Sequence, residues 1–367
     1  MRVFMSAGEA SGDAHGASVI EALRSRVPDL TIEGIGGPRM VAAGLTAIEP
    51  MESPSVVGLV EAIRSVPVHV RALKTIERVF RRHSHDVAVL IDYPGFHLKV
   101  AAAARRAGVP VLYYIAPQLW AWGAWRAKAL RRNVRSLAVV LPFEEQFFRM
   151  RGIAAEFVGH PLLDRPPGRT RQSLRNELHA AAQAPVLGLF PGSRPQEVAR
   201  LWPAFRDAAN MLRFELPGLQ TVVAGVMGAS YAGCSGFEIW EDRARDVMIL
   251  ADVAVCKSGT TTLEAVLAGT PMVVAYRMHG VSYAVARRAV KLSHVSLVNL
   301  LAARSVVTEL LQHDVTAENL ADALRPLLDP ASPAASDQRR AFEEIRDSLG
   351  TPGASRRVAQ MACRLVA

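Results

Sequence analysis

The chain has 367 residues, of which 50% are hydrophobic and 21% are charged. A single hydrophobic core stops growing at roughly 250 to 300 residues, so we expect two globular domains. This composition excludes a disordered chain and a fibrous repeat. Basic residues exceed acidic ones by nine, which favours anionic partners such as phosphates, nucleotides, acidic lipids or nucleic acid without choosing among them.

The cysteines and the N-terminus indicate the cellular compartment. Cys234, Cys256 and Cys363 are far apart and odd in number, which argues against a disulfide framework and a structural zinc site and favours a reducing cytoplasm. The N-terminal sequence MRVFMSAGEASGD lacks the apolar stretch of a secretory signal. No segment has the roughly 20 consecutive apolar residues that a membrane-spanning helix needs.

Short β-rich segments alternate with helical patterns in the first half of the chain. In order they are the strand RVFMS, the helix GDAHGASVIEALRS, the strand VAVLID, the helix LKVAAAARRAG, and the strands PVLYYI and SLAVVLP. Strands separated by helices predict a parallel, doubly wound sheet.

The glycine-rich loop SAGEASGDAHG follows the first strand and opens a helix. Backbone amides near Gly12 and Asp13 are candidates for binding a ligand, but the loop matches neither the dinucleotide fingerprint nor the Walker loop. The alternative is a tight turn in which Ser11 or Asp13 caps the helix. The loop GIGGPRM, residues 34–40, carries the same ambiguity.

The interface-like segment MESPSVVGLVEAIRSVPVHV covers residues 51–70. Its apolar cluster with few charges is typical of a helix lying in a membrane interface. An ordinary half-buried helix explains the same pattern.

Asp92 ends the apolar strand VAVLI, and a Pro-Gly pair then turns the chain. Parallel sheets bind ligands at the carboxyl ends of their strands, and a sheltered carboxylate has a raised pKa that suits a general base. The alternative, favoured by spacing alone, is an aspartate that forms the turn by accepting backbone amides. His85 and His97 are either proton carriers or exposed histidines on a helix edge.

The segment APQLWAWGAWR places Trp120, Trp122 and Trp125 within six residues. A run of cations follows, comprising Arg126, Lys128, Arg131, Arg132 and Arg135. Aromatic rings beside cations suit a lipid that carries phosphate. Core tryptophans and a solvated helix face are the alternative.

The proline-rich segment DRPPGRTRQS, residues 164–173, is a predicted linker. Beyond it the alternation restarts, with strands APVLGLF, LQTVVAG, DVAVCKS and PMVVAY, and helices from Pro195 to about Leu216 and over TTLEAVLAG. The last 30 residues are predicted to form C-terminal helices. Two such open α/β domains facing each other would form a cleft lined by strand carboxyl ends.

The motif LFPGSRPQEV reads as strand, turn and helix start. Ser193 and Gln196 fit a capping box, with Pro195 in the first helical position. Arg194 lies beside this predicted helix N-terminus, and two positive features at one place favour a phosphate site.

The motif CKSGTTTLEAVLAGTP leads from a strand through Ser258, Gly259 and Thr260 into a helix. Gly269 and the proline after it are expected to end that helix. Glu264 either completes a capping box with Thr261 or accepts the two hydroxyls of a ribose.

Ten motifs occur in an order that resembles the lipid-A-disaccharide synthases over nearly the whole chain: GEASGD, GGPRM, IDYPGF, LWAW, LPFE, GHPLLD, PGSR-x-x-EV, SGTTTLE, YRM and VSLVNLLA. The resemblance implies an α/β GT-B fold of two Rossmann-like, doubly wound parallel-sheet domains facing a cleft. It implies an acceptor and lipid domain of residues 1–166, joined by a C-terminal helix at 346–367, and a UDP-sugar domain of residues 167–345.

The resemblance also implies a reaction and its partners. It is the inverting transfer of 2,3-diacylglucosamine from its UDP derivative to 2,3-diacylglucosamine 1-phosphate, without metal or other cofactor. The product is the β-1,6-linked lipid A disaccharide 1-phosphate, with UDP. The enzyme would lie at the inner face of the cytoplasmic membrane as a peripheral protein, with no nucleic acid partner.

Carried over by position, Asp92 is the base that deprotonates the acceptor and Arg194 a ligand of the diphosphate. The nucleotide-sugar set is Ser193, Arg194, Ser258, Gly259, Thr260, Glu264 and Asn299. The acceptor and lipid set is Glu9, Ser11, Gly12, Asp13, Gln118, Trp120, Trp122 and Arg126. The chain departs from the family at Gly95, where an acidic residue is common, and in the short stretch 225–257.

Two other functions are also compatible with the residues described above. One is another GT-B enzyme that uses UDP-GlcNAc, either a lipid-linked N-acetylglucosaminyltransferase or a UDP-sugar epimerase. The other is a non-catalytic protein that binds nucleotides or acidic lipids.

Overall fold

The computed structural model describes residues 1–50, 59–121, 123–166, 168–179, 184–278 and 294–366, and the side chains of all of these except residues 50, 59–66 and 124. In the predicted interface segment 51–70, residues 51–58 lie outside the described residues, and residues 59–70 are helical. No helix within the described residues is both long and apolar enough to cross a membrane.

The chain folds as two compact units. Unit 1 comprises Met1–Arg165 and Leu349–Ala367, and unit 2 comprises Pro166–Ser348. The boundary between the units, after Arg165, lies within the predicted linker 164–173, whose last three residues begin a helix at Arg171.

Unit 1 alternates strands and helices from its first residues. Its elements are β1 (Arg2–Ala7), α1 (Ala10–Arg24), β2 (Thr31–Gly36), α2 (Pro38–Ala43), β3 (Thr46–Pro50), α3 (Leu59–Arg82), β4 (Val87–Ile91), α4 (Pro94–Arg106), β5 (Val111–Tyr114), α5 (Ala127–Asn133), β6 (Ser136–Val139), α6 (Pro142–Arg149) and β7 (Ala155–Phe157). The C-terminal residues return as helix α14 (Ala354–Arg364).

The described strands of unit 1 form one parallel sheet in the order β3-β2-β1-β4-β5-β6-β7. Helices α3, α4 and α5 contact one another in succession, while α1 contacts α2 and α14. Because helices cover the sheet, its central strand β4 is apolar throughout, and all five of its residues are buried. The strand order reverses between β1 and β4, so their loops leave in opposite directions and open a crevice at the carboxyl edge.

Glycines in unit 1 serve close packing as well as turns. A Cβ at Gly34 would lie 1.8 Å from the carbonyl oxygen of Met5 on the neighbouring strand. The loop predicted at residues 34–40 is therefore wrong in part, since residues 34–36 belong to β2 and α2 begins at Pro38. Strands brought this close need glycine. Clustered glycines are also typical of loops, so the sequence predicted a loop where part of β2 lies.

The motif GHPLLD joins the C-terminal helix to unit 1. The Asp164 carboxylate accepts hydrogen bonds from the backbone amides of Gly353, Ala354 and Ser355 at the start of α14. These amides have no partner within the helix, so a carboxylate there stabilises its N-terminus.

Unit 2 repeats the alternation. Its elements are α7 (Arg171–Glu177), β8 (Val186–Phe190), α8 (Pro195–Glu215), β9 (Gln220–Gly225), β10 (Glu238–Glu241), α9 (Ala244–Leu250), β11 (Val253–Lys257), α10 (Thr260–Ala268), β12 (Met272–Tyr276), α11 (Leu297–Ala302), β13 (Thr308–Leu311), α12 (Ala317–Leu324) and α13 (Pro333–Ser348).

The described strands of unit 2 form a parallel sheet in the order β10-β9-β8-β11-β12-β13. This is the Rossmann order, and it reverses between β8 and β11. Helix α10 ends at Gly269, which adopts the left-handed conformation with φ of 70°, as predicted. The short stretch 225–257 contains β10, α9 and β11.

Candidate active-site regions

The loops after β1 and β4, residues 8–9 and 92–93, form the unit 1 switch region. Asp92 and Tyr93 both have left-handed backbones, with φ of 49° and 54°. Such residues cost on the order of 1 to 3 kcal/mol each and cluster at functional sites. Helix α4 begins at Pro94 directly after them, so the backbone turns sharply where β4 ends.

The backbone of Asp92 is held from three sides. Its amide donates to the Tyr114 carbonyl at 2.9 Å. Its carbonyl accepts from the Tyr113 hydroxyl at 2.6 Å and lies 2.7 Å from His97 Nδ1. The other ring nitrogen of His97 lies 2.9 Å from the Ser6 hydroxyl oxygen. These contacts stabilise the strained turn without using the Asp92 carboxylate.

The two histidines near Asp92 in sequence have different surroundings. His97 is fully buried, and burial lowers its pKa to about 4, so it is neutral. The alternative of an exposed histidine is therefore wrong for His97. It is also wrong for His85, which is buried and bonds Glu33, as His83 does.

Burial sets the charge state of Asp92. Removal from water raises the pKa of its carboxyl to about 6, because a desolvated carboxylate is less stable than the neutral acid. A hydrogen bond from the Tyr93 amide lowers this pKa and the negative charge of Glu9 raises it. A carboxylate with such a pKa accepts a proton at neutral pH more readily than an exposed aspartate does.

The loop after β1 packs tightly against the loop after β4. A Cβ at Gly8 would lie 2.3 Å from the ring of Tyr93, so only glycine fits there. Helix α1 begins at Ala10 with Glu9 as its N-cap. The predicted N-cap role of Ser11 or Asp13 is therefore wrong.

Asp13, in helix α1, stabilises the start of helix α2. Its buried carboxylate accepts the amides of Gly37, Arg39 and Met40 at 2.8 to 3.0 Å. It thereby caps α2 and ties the motifs GEASGD and GGPRM together. Gly12 is buried beside Ala7, and Ser11 is exposed. Contacts of these residues with an acceptor stay a prediction.

The tryptophan motif has one anchored ring. Trp120 donates from Nε1 to Glu144 at 2.9 Å and packs edge-on against Phe143. Gln118 and Trp125 are exposed, and the Arg126 guanidinium lies 5.2 Å from the centre of the Trp125 ring. Trp122 lies outside the described residues.

Glu144, in the motif LPFE, was missed as a site candidate. It is buried, and burial raises its pKa to about 7 against the lowering effects of Trp120 and the amides of Leu141 and Val140. The only signal in the sequence is an acid three residues into a helix, which is also typical of capping.

The cation run is divided by helix α5. Arg126 lies before this helix, at the carboxyl edge of the sheet, whereas Arg131 and Arg132 lie in its last turn and Arg135 follows it. A helix of seven residues spans about 10 Å. Grouping all these cations with the tryptophans was therefore wrong for the last three.

The loops after β8 and β11, residues 191–194 and 258–259, form the unit 2 switch region. Arg194 is the N-cap of α8 and makes no side-chain cap bond, and Pro195 is its first residue. The predicted Ser193–Gln196 capping box is wrong, because Glu197 accepts the Ser193 amide at 3.0 Å instead.

Glu197 links the two loops of this region. It accepts from the Lys257 ammonium at 2.9 Å and lies 3.9 Å from the Arg194 guanidinium. Burial alone would raise the pKa of Glu197, but Lys257, Ser193 and Arg194 outweigh it and the pKa is lowered. Lys257, at the end of β11, was missed from the sequence, since nothing local distinguishes it from a solvated lysine.

Gly192 is required by this arrangement. Its φ is 145°, and a Cβ there would lie 2.5 Å from Glu197 Cβ. Any side chain at this position would displace Glu197 and strain the backbone.

The loop after β11 enters α10 through Gly259, whose φ is 152°. Because Gly259 is the N-cap, the predicted Thr261–Glu264 capping box is wrong. Thr260 begins the helix, so free amides of its first turn face the carboxyl edge. Ser258 is buried and donates from its hydroxyl to the Val295 carbonyl at 3.2 Å.

Asn299 is buried and saturated by internal hydrogen bonds. Its side-chain oxygen accepts the amides of Val306 and Val307, and its nitrogen donates to the Val307 carbonyl and to Glu309. An amide side chain has no further hydrogen-bonding capacity. This argues against direct contact with a nucleotide sugar and gives Asn299 a supporting role.

Solved structures with this fold cover almost the whole chain. The UDP-GlcNAc 2-epimerase of Neisseria meningitidis, bound to UDP-GlcNAc, has a TM-score of 0.64 at 11% identity and covers 99% of both chains. The Acinetobacter baumannii MurG has a TM-score of 0.60 at 15% identity and covers 99% of both. At these identities the similarity shows the fold, which is GT-B.

Sequence comparison is more specific. A family model described as lipid-A-disaccharide synthetase (LpxB) matches residues 3–362. The lipid-A-disaccharide synthase of Anaeromyxobacter dehalogenans strain 2CP-C is 41% identical over 368 residues, 98% of this chain and 96% of that protein. That of Geobacter metallireducens is 39% identical over 375 residues, 100% and 97% of the two chains. The chain therefore belongs to the lipid-A-disaccharide synthase family of glycosyltransferases.

Proposed function

We propose that this protein transfers 2,3-diacylglucosamine from its UDP derivative to 2,3-diacylglucosamine 1-phosphate. The products are the β-1,6-linked lipid A disaccharide 1-phosphate and UDP. The observation that carries the proposal within this family is the carboxylate of Asp92, which follows a buried strand at the switch of a parallel sheet and whose pKa burial raises to about 6.

The proposed step is a single displacement. Asp92 accepts the proton of the acceptor 6-hydroxyl as its oxygen forms a bond to the anomeric carbon of the donor. The bond from that carbon to the diphosphate breaks on the opposite face, and UDP leaves with the electron pair. Configuration inverts, and the step uses no metal or other cofactor.

Unit 2 supplies the groups that we assign to the donor. Arg194 neutralises charge that develops on the diphosphate, and the amides of Gly259 and Thr260 bind phosphate oxygens at the start of α10. Ser193 and Ser258 line the same switch region, and Glu264 accepts the ribose hydroxyls. Asn299 supports the region through the segment that ends at Glu309.

Unit 1 supplies the groups that we assign to the acceptor. These are Glu9, Ser11, Gly12, Asp13, Gln118, Trp120, Trp122 and Arg126. The exposed ring of Trp125 beside Arg126 suits an acyl chain next to a phosphate. We further propose that the protein works in the cytoplasm, bound peripherally to the inner face of the membrane that holds its substrates.

The test is a transfer assay with chemically defined substrates. We expect UDP and disaccharide to form only when UDP-2,3-diacylglucosamine and the diacylated acceptor are both present. Activity on UDP-GlcNAc alone would favour the epimerase or N-acetylglucosaminyltransferase alternative. Binding of both substrates without UDP release would favour the non-catalytic binder.

A further inference from the structure

The positive charge of the chain is concentrated in one segment. Residues 93–143 contain eight Lys and Arg and no Asp or Glu, whereas the whole chain has an excess of nine. The rest of the protein is therefore nearly neutral. This asymmetry indicates a localised anionic partner more strongly than the net charge does.

Arginines of this segment converge at the amino-terminal edge of the unit 1 sheet. A depression of about 510 Å³ lies there, between the ends of α4 and α5 and the start of β7. Arg105, Arg131, Arg132 and Arg135 line it, over a floor that includes Val109 and Ile153. Both floor residues are buried, so the depression is apolar at its base and cationic around it.

These arginines lack the carboxylates that other arginines of unit 1 have. No Asp or Glu lines the depression, and within the described residues none of the four forms an ion pair. In contrast, Arg106 pairs with Glu77 and Arg149 pairs with Glu145.

Helix dipoles do not account for the cluster. Each helix C-terminus carries the equivalent of about half a negative charge. The ends of α4 and α5 together therefore offset about one of the four guanidinium charges. The rest repel one another unless an anion binds.

We propose that this depression is a binding site for a phosphate-bearing anion, separate from the unit 1 switch region at the opposite edge of the sheet. Guanidinium groups bind phosphate through paired hydrogen bonds, and several of them around one depression suit a ligand with two or more negative charges. A phospholipid headgroup and a soluble diphosphate share this chemistry. The site does not depend on the proposed transfer reaction.

The experiment compares two triple variants of the full-length protein with equal net charge. The site variant is Arg131→Gln/Arg132→Gln/Arg135→Gln, and the control is Arg106→Gln/Arg149→Gln/Arg364→Gln, whose arginines are ion-paired in the same unit. Binding of inorganic pyrophosphate is measured by calorimetry, and binding to vesicles that contain cardiolipin, whose headgroup carries two phosphates, by flotation. Thermal unfolding checks that each variant folds.

We expect the site variant to bind at least one probe tenfold more weakly than the control, with binding falling as salt increases. Loss with vesicles alone identifies a membrane headgroup, and loss with pyrophosphate as well identifies a soluble anion site. Equal binding of both variants to both probes would overturn the proposal. Should the triple variant unfold, Arg132→Gln and Arg135→Gln singly carry the same comparison against Arg149→Gln.

Discussion

The two switch regions have the same topology and opposite electrostatics. In each unit the strand order reverses between the first and the fourth strand, so each sheet opens a crevice at the same place. Unit 1 presents the half-buried carboxyl of Asp92 there, beside the charge of Glu9. Unit 2 presents Arg194 and Lys257 around Glu197. Strand order thus decides where a site forms, and loop residues decide its chemistry.

The two regions also show how neighbouring cations change the pKa of a buried carboxyl group. Burial favours the neutral acid in both regions. At Asp92 little opposes it, and the pKa is raised to about 6. At Glu197 an ammonium ion at 2.9 Å reverses the effect, and the pKa is lowered. Asp92 is therefore suited to moving a proton, and Glu197 to holding cations in place.

The largest expected effect is a loss of turnover from a change in the unit 1 switch region that leaves UDP binding unchanged. Asp92→Asn removes the proposed base, and positioned general bases contribute roughly 10² to 10⁴ in rate. We expect kcat to fall about 10³-fold while the dissociation constant of UDP, measured by calorimetry, stays unchanged. Near-normal turnover would remove Asp92 from the base role.

The second effect lies in unit 2. Arg194→Ala removes a cation assigned to the departing diphosphate, and such groups contribute about 10² to 10³ in rate. We expect kcat/KM to fall about 10²-fold and UDP to bind more weakly. Arg304→Ala is the control, because Arg304 pairs with Glu344 on the surface of the same unit. An equal loss in both variants would mean that net charge matters and Arg194 does not.

A smaller effect on turnover tests whether the hydrogen bond from Tyr113 holds Asp92 in position. Tyr113→Phe deletes the hydroxyl that donates to the Asp92 carbonyl at 2.6 Å, which relaxes the strained turn. We expect kcat to fall about fivefold, since a net hydrogen bond is worth about 1 kcal/mol, with KM unchanged. Tyr114→Phe alters the next residue, on the other face of the strand, and should leave kcat unchanged. A loss of thermal stability without loss of kcat would give Tyr113 a purely structural role.

The sequence predicted the placement of Asp92, because alternating strands and helices imply a parallel sheet whose carboxyl edge lies after VAVLI. It also predicted the ends of α8 and α10, where proline and glycine act locally. It did not predict the bonds of Asp13 to α2 or of Glu197 to Lys257, because these depend on loops brought together by tertiary folding. The cation run was misread for a related reason, since the extent of α5 separates residues that adjoin in sequence.

The most direct measurement is the pH dependence of kcat/KM in the wild-type protein, because it reports the ionisation of the free enzyme. Loss of activity in a variant shows that Asp92 is needed, whereas the pH profile shows how it acts. A base whose pKa is raised to about 6 must be ionised to work. We therefore predict a plateau above pH 7, half of the maximum near pH 6 and a tenfold fall per pH unit below it. A profile that stays flat to pH 4.5 would contradict the account.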